Sequence, residues 1–201
     1  MIKAIIFDLD GVLVDATEWH YEALNEALAL FGFEITPMEH LHEYNGLPTI
    51  KKLEKLTLQK GLPTGLYKTI QQLKRKFTDE KAIIYCRPMY EKQVLLSNLK
   101  RAGFRLAACS NAQKYSVINM LTMSQIIDYF EEIMGNDEGL APKPAPDMYL
   151  AMLKKLRIQP REAIIVEDAP HGIQAARASG ANVLEVRGYE EVNLSLFEDL
   201  L

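Results

Sequence analysis

No stretch of this chain is apolar for the roughly 20 residues that a membrane-spanning helix needs, and no partnership with a membrane is expected. A basic excess is also missing. Lys and Arg number 23 against 27 Asp and Glu, leaving a net charge of −4, which argues against a nucleic-acid surface. Cysteine is scarce: Cys86 and Cys109 stand far apart with no CxxC spacing. That excludes a disulfide scaffold or a zinc pair and leaves two reduced thiols in a protein expected to be cytoplasmic. The chain starts on a strand with an early acid, so it is not expected to begin with a secretory signal. Internal repeats and low-complexity segments are absent.

What is present is an apolar fraction of 48% in 201 residues, enough for a sizeable core. The opening stretch "IKAIIFDLDGVLVD" reads as a strand over residues 2–8, apolar on both faces and therefore buried on both. Two acids, Asp8 and Asp10, close it, and Asp15 follows. Residues 16 to about 81 read as helices only. Trp19, Ala23, Leu24, Ala27, Leu28 and Phe31 share one helical face, and Gly32 can end that helix. A second helix follows Pro48, with Ile50, Leu53 and Leu56 inward and Gly61 after it. A third carries Tyr67, Ile70, Leu73 and Phe77. From about residue 88 helices alternate with strands at 104–109, 129–134, 163–167 and 182–186, ending in a short helix over about 190–199. Such alternation predicts a parallel sheet with helices on both faces. The expected fold is thus α/β, a Rossmann-like doubly wound core of residues 1–15 and 82–201, with an all-helical domain of residues 16–81 inserted after the first strand.

In an open parallel sheet, ligands bind outside the carboxyl ends of the strands. The polar residues there are Asp8 and Asp10, then Ser110 and Asn111, then Lys143 in "APKPAPD", then Glu167 and Asp168. Carboxylates converging from two strands make a hard oxygen site suited to Mg²⁺. One carboxylate can then attack a phosphoryl group, and a second can protonate the leaving oxygen and later activate water. A lysine and a hydroxyl-plus-amide pair can hold the transferring oxygens. Gly11 allows a sharp turn after the acids. Asp15 reads as a helix cap or a hinge, His171 as loop structure, and Cys109 as packing beneath the site.

These residues resemble a known family. "FDLDGVLVD", "CSN", "KPAPD" and "VEDAPHGIQAA" match, in order and spacing, the four motifs of the haloacid dehalogenase (HAD) superfamily. The resemblance implies Asp8 as nucleophile and Asp10 as general acid and base. It implies Ser110, Asn111 and Lys143 around the phosphoryl group, and Mg²⁺ on Asp8, Asp168 and the backbone carbonyl of Asp10, with Glu167 a ligand or a supporting acid. The acid two residues after the nucleophile resembles the phosphatases and phosphomutases of the superfamily. The insert would be a C1-type cap closing over the site. "VDATEWHYEAL" and "LKRKF" are similar to cap segments of the β-phosphoglucomutase subfamily and single out His20 and Lys76. That subfamily's mutases carry a cap arginine where Thr49 stands here, which favours a Mg²⁺-dependent phosphatase acting on a small phosphorylated metabolite. A hexose phosphomutase is the alternative, and a non-catalytic phosphate-sensing domain a third reading. The expected assembly is a monomer or weak homodimer.

Overall fold

The structure is a computed structural model that describes residues 1–44 and 47–201. The chain forms two compact units, one of residues 1–15 and 86–201 and one of residues 16–85. The larger unit holds five parallel strands: β1 (Ala4–Phe7), β2 (Arg105–Cys109), β3 (Glu132–Met134), β4 (Ala163–Glu167) and β5 (Asn182–Glu185). Their order is β3-β2-β1-β4-β5. The chain moves outward from β1 to β2 and β3, then crosses to β4 on the other side. The junction of β1 and β4 is therefore the switch point, where an open sheet of this kind places its ligand crevice.

β1 is central, so all four of its residues are buried, and its Val-free "AIIF" is flanked by apolar strands on both sides. Side chains alternate between faces. Ile6, Ala107 and Ile165 lie in one row and join a core with Met148, Tyr149, Met152, Ala175 and Ala176. These last residues come from α7 (Asp147–Lys155) and α8 (Pro170–Ala178). On the opposite face Phe7 packs edge-on to the half-buried Phe130 and against Phe197, and the fully buried rings of Phe7 and Phe197 are worth roughly 1.5–3 kcal/mol each. Helix α5 (Tyr90–Arg101) contacts β2 and the C-terminal turn there. That turn, Leu194–Leu200, is a 3₁₀ helix rather than the α-helix expected over 190–199. Of residues 129–134 only Glu132–Met134 are strand, because Ile127–Tyr129 close a 3₁₀ turn first.

The smaller unit is all helical. Its main elements are α1 (Thr17–Ala29), α2 (Pro37–Glu39), α3 (Thr49–Lys60) and α4 (Tyr67–Tyr85). Leu24, Leu28, Ile35, Tyr44, Leu53, Leu56 and Ile70 form its core. Asn25 accepts from the backbone N–H of Ile35 and donates to its carbonyl, tying the chain after α1 back to that helix. Lys81 of α4 reaches Glu22 and Glu26 of α1. Three expectations are corrected here. Helix α4 runs on through Tyr85, since neither Gly nor Pro interrupts it before Pro88, so the unit ends four residues beyond 81. Ile50 is 37% exposed, because it lies in the first turn of α3, outside the core that Leu53 and Leu56 enter. Asp15 does not cap α1: Ala16 occupies the cap position and no side chain bonds there. Among the described residues no helix is long and apolar enough to cross a membrane.

Candidate active site

Register decides which polar residues meet. Phe7 stands opposite Ala108 and Val166, so Asp8 is level with Cys109 and with Glu167. The three share the sheet face of Ile6, Ala107 and Ile165, each two residues earlier on its strand. Asp8 is anchored by its N–H to the carbonyl of Val166 at 3.0 Å. Beyond it the chain folds into a tight loop in which the N–H groups of Val12, Leu13 and Val14 all donate to the carbonyl of Leu9. Gly11 adopts φ +80° in this loop, and a Cβ there would lie 2.1 Å from Oδ2 of Asp168. The absence of a side chain at residue 11 is what lets the loop after β1 approach the end of β4. Gly11→Ala is therefore expected to lower stability by about 1–2 kcal/mol from the backbone alone and to displace Asp168. Thermal denaturation together with a Mg²⁺ titration checks both effects.

Lys143 is the hub of the site. Its Nζ donates to Oδ1 of Asp8 at 2.5 Å, to Oε1 of Glu167 at 2.6 Å and to the carbonyl of Cys109 at 3.0 Å. All three of its protons are thereby used. Its own backbone is clamped by Asn111, which accepts from the Lys143 N–H and donates to the Lys143 carbonyl. Asn136 in turn donates to the carbonyl of Asn111. Asn111 thus aims the lysine. Ser110, at the end of β2, is buried and its Oγ accepts from the N–H of Ala112 at 3.0 Å.

The charges in this site are held against the cost of burial. Burial pushes the Asp8 carboxyl well above its ordinary range, and neighbouring Glu167 pushes it further, with Lys143 opposing both. Burial works against the Lys143 ammonium, yet Asp8 and Glu167 together hold it above the usual lysine value. Asp168 is raised to about 6 by burial and by Glu167. Burial raises the Cys109 thiol to about 12, so this buried residue packs beneath the site as a neutral thiol. His171 lies in the first turn of α8, not in a loop, and burial lowers its imidazole.

Asp8, Glu167 and Asp168 offer carboxylate oxygens that all lie within 4.8 Å of one another. Oε2 of Glu167 and Oδ1 of Asp168 are buried and accept no hydrogen bond among the described residues. Unsatisfied buried carboxylate oxygens are costly. A cluster of three hard oxygen donors, two of them short of partners, fits a divalent cation such as Mg²⁺.

One contributor escaped the reading of the sequence. Tyr149 of α7 donates its hydroxyl to Oε1 of Glu167, and its ring faces the Lys143 ammonium at 4.8 Å. The only signal was a tyrosine within the apolar stripe of that helix. In the helical unit, Lys76 is exposed and faces Glu80 at 3.7 Å. It is Lys74 whose Nζ lies 2.8 Å from Nδ1 of His20. Thr49 is the first residue of α3.

A profile of the haloacid dehalogenase-like hydrolases matches residues 5–186. The chain belongs to that family. Within it, the relatives and solved structures support the β-phosphoglucomutase-like branch, and the protein is a HAD-type phosphatase. It is 30% identical over 195 residues to the phosphoglycolate phosphatase of Nitrosospira multiformis, covering 94% of this chain and 86% of that one. Among solved structures, CbbY from Rhodobacter sphaeroides in complex with xylulose-(1,5)bisphosphate superposes with a TM-score of 0.78 at 26% identity, covering 94% of this chain and 88% of that one. The β-phosphoglucomutase of Clostridium difficile shares the fold, with a TM-score of 0.80 at 21% identity over 100% of this chain and 97% of that one. The fold of this HAD hydrolase is thus the parallel α/β fold expected from its alternating elements.

Proposed function

We propose that this HAD hydrolase is a Mg²⁺-dependent phosphatase of small phosphomonoesters, sugar phosphates among them, working through an aspartyl phosphate on Asp8. The observation that carries this reading is the placement of a buried carboxylate, Asp8, at the switch point, pinned by Lys143 and flanked by Asp168. Mg²⁺ would be held by Asp8 and Asp168, with the Asp10 carbonyl and Glu167 beside them. It would supply positive charge against the oxygens of the phosphoryl group. Relatives named for phosphoglycolate and a structure holding a xylulose bisphosphate support the small-substrate class.

The chain's own residues would act as follows. An oxygen of Asp8 attacks phosphorus and the bond to the ester oxygen breaks. Asp10 gives a proton to that departing oxygen, then takes one from the water that attacks the acyl phosphate, releasing inorganic phosphate and restoring Asp8. Lys143 and Ser110, with Asn111 aiming the lysine, balance charge on the phosphoryl oxygens. Hydrolysis rather than transfer to a sugar hydroxyl is supported by Thr49 at the place of the mutases' cap arginine.

Dialysis against EDTA is expected to stop phosphate release from sugar monophosphates, and added Mg²⁺ to restore it. Full activity in chelator would overturn the reading. Asp168→Ala should weaken Mg²⁺ binding without lowering the stability of the metal-free protein. The sign follows from the carboxyl's rise from 3.8 to about 6. Between those values the folded state binds more protons than the unfolded chain, so stability falls as pH rises through the window. Removing Asp168 removes that loss. A melting temperature in EDTA at pH 7 at or above that of wild type is expected.

A further inference from the structure

We infer that Tyr149 is a positioning residue for the metal site: its hydroxyl fixes which oxygen of Glu167 is left for the cation. This inference rests on the reading of the site as a Mg²⁺ centre and extends it to a residue outside the four motifs. Three observations carry it. First, Glu167 is 1% exposed, and its two oxygens are used unequally. Oε1 accepts from both Lys143 and Tyr149, while Oε2 accepts from nothing among the described residues. Second, Glu167 is one of three acids, with Asp8 and Asp168, that each offer an oxygen within 4.8 Å of the others. Third, the carboxylate already sits against α8 in the space that the missing side chain of Gly172 leaves, since a Cβ there would lie 2.1 Å from Oε1 and 2.2 Å from Oε2.

Lys143 alone does not settle the orientation of Glu167. Its three protons are divided among Asp8, Glu167 and the Cys109 carbonyl, and a flexible ammonium follows a carboxylate that turns. The phenol of Tyr149 is different. It sits on α7, locked in the core with Met148 and Met152, and carries a single donor at the end of a rigid ring. With Tyr149 and Lys143 on the same oxygen, Oε1 is saturated and Oε2 is the oxygen left without a partner among the described residues. Outer hydrogen-bond partners of this kind commonly set metal affinity, and losing one typically weakens it by about 10–100-fold.

The test is Tyr149→Phe, which keeps the ring against Lys143 and deletes only the hydroxyl. Calorimetric titration with Mg²⁺ alone is expected to show binding weakened by about 10-fold or more. At saturating Mg²⁺, kcat and the KM for a sugar monophosphate should return to near wild-type values. A purely structural role would instead lower the melting temperature in EDTA and leave the Mg²⁺ Kd unchanged, and that result overturns the inference. In a Glu167→Gln background, Tyr149→Phe should cost little further affinity, since the hydroxyl acts through Glu167. A full additional loss there would also overturn it. Wild type that binds Mg²⁺ and hydrolyses phosphomonoesters, beside a Tyr149→Phe protein with the same Kd, would refute the role of Tyr149 alone. Wild type that binds no Mg²⁺ would refute the metal reading and this inference together.

Discussion

Asp8→Asn is expected to abolish turnover while the protein stays folded. Asparagine matches aspartate in shape, so the contact with the sheet through the residue-8 N–H and Val166 survives. An amide oxygen is too weak a nucleophile to form the acyl phosphate. The loss should be about 10⁴-fold or more, the scale reached when a covalent nucleophile is deleted from an enzyme. Stability should hold or rise slightly in metal-free buffer. The Asp8 carboxyl is already pushed upward, with burial the largest cause and Lys143 only partly opposing it. Lys143 keeps Glu167 as a partner. Phosphate release above roughly a hundredth of the wild-type rate, in protein shown by mass to be free of deamidation, would remove Asp8 from the role.

Lys143→Met is expected to damage both stability and turnover. It deletes an ammonium that bonds Asp8 and Glu167 at once. Two buried carboxylates are then left facing each other, and breaking a buried ion pair from one side costs about 3–5 kcal/mol. The deficit should depend on pH in a defined direction. Without the lysine, whose charge opposes the upward push on the Asp8 carboxyl, Asp8 rises further above its unfolded value, so the folded variant binds more protons than the unfolded chain as pH climbs from the ordinary carboxylate range. Its stability should therefore fall with rising pH and recover on acidification. Urea denaturation in EDTA at pH 5 and pH 8 measures this. A variant equally stable at both, and as stable as wild type, would show that Lys143 does not neutralise this pair.

Much of this arrangement was legible before any coordinates. The acids at the end of β1 and β4 stand out because a strand buried on both faces has no other reason to end in carboxylates. Alternation of strands and helices then placed them at one rim. Tyr149 was not legible, since a tyrosine in the stripe of Met148 and Met152 reads as core until the register of β4 puts Glu167 beneath it. The contact of Lys74 with His20 was missed for a reason of helical phase. Lys76 lies two residues on, about 200° around the helix, and so points away on the side of Glu80. The run "KRK" offers a charge at nearly every angle, and only the packing of α4 on α1 chooses among them. The end of the helical unit was misjudged because no residue before Pro88 breaks α4.

The claim on which the rest depends is that hydrolysis proceeds in two displacements with Asp8 as the first nucleophile. It is tested most directly by the stereochemical course at phosphorus, using a chiral, isotopically labelled phosphorothioate ester of a sugar hydrolysed with Mg²⁺ in differently labelled water. Two in-line displacements, one by Asp8 and one by water, predict retention of configuration in the released thiophosphate. Inversion would mean that water attacks the substrate directly, and it would contradict the account.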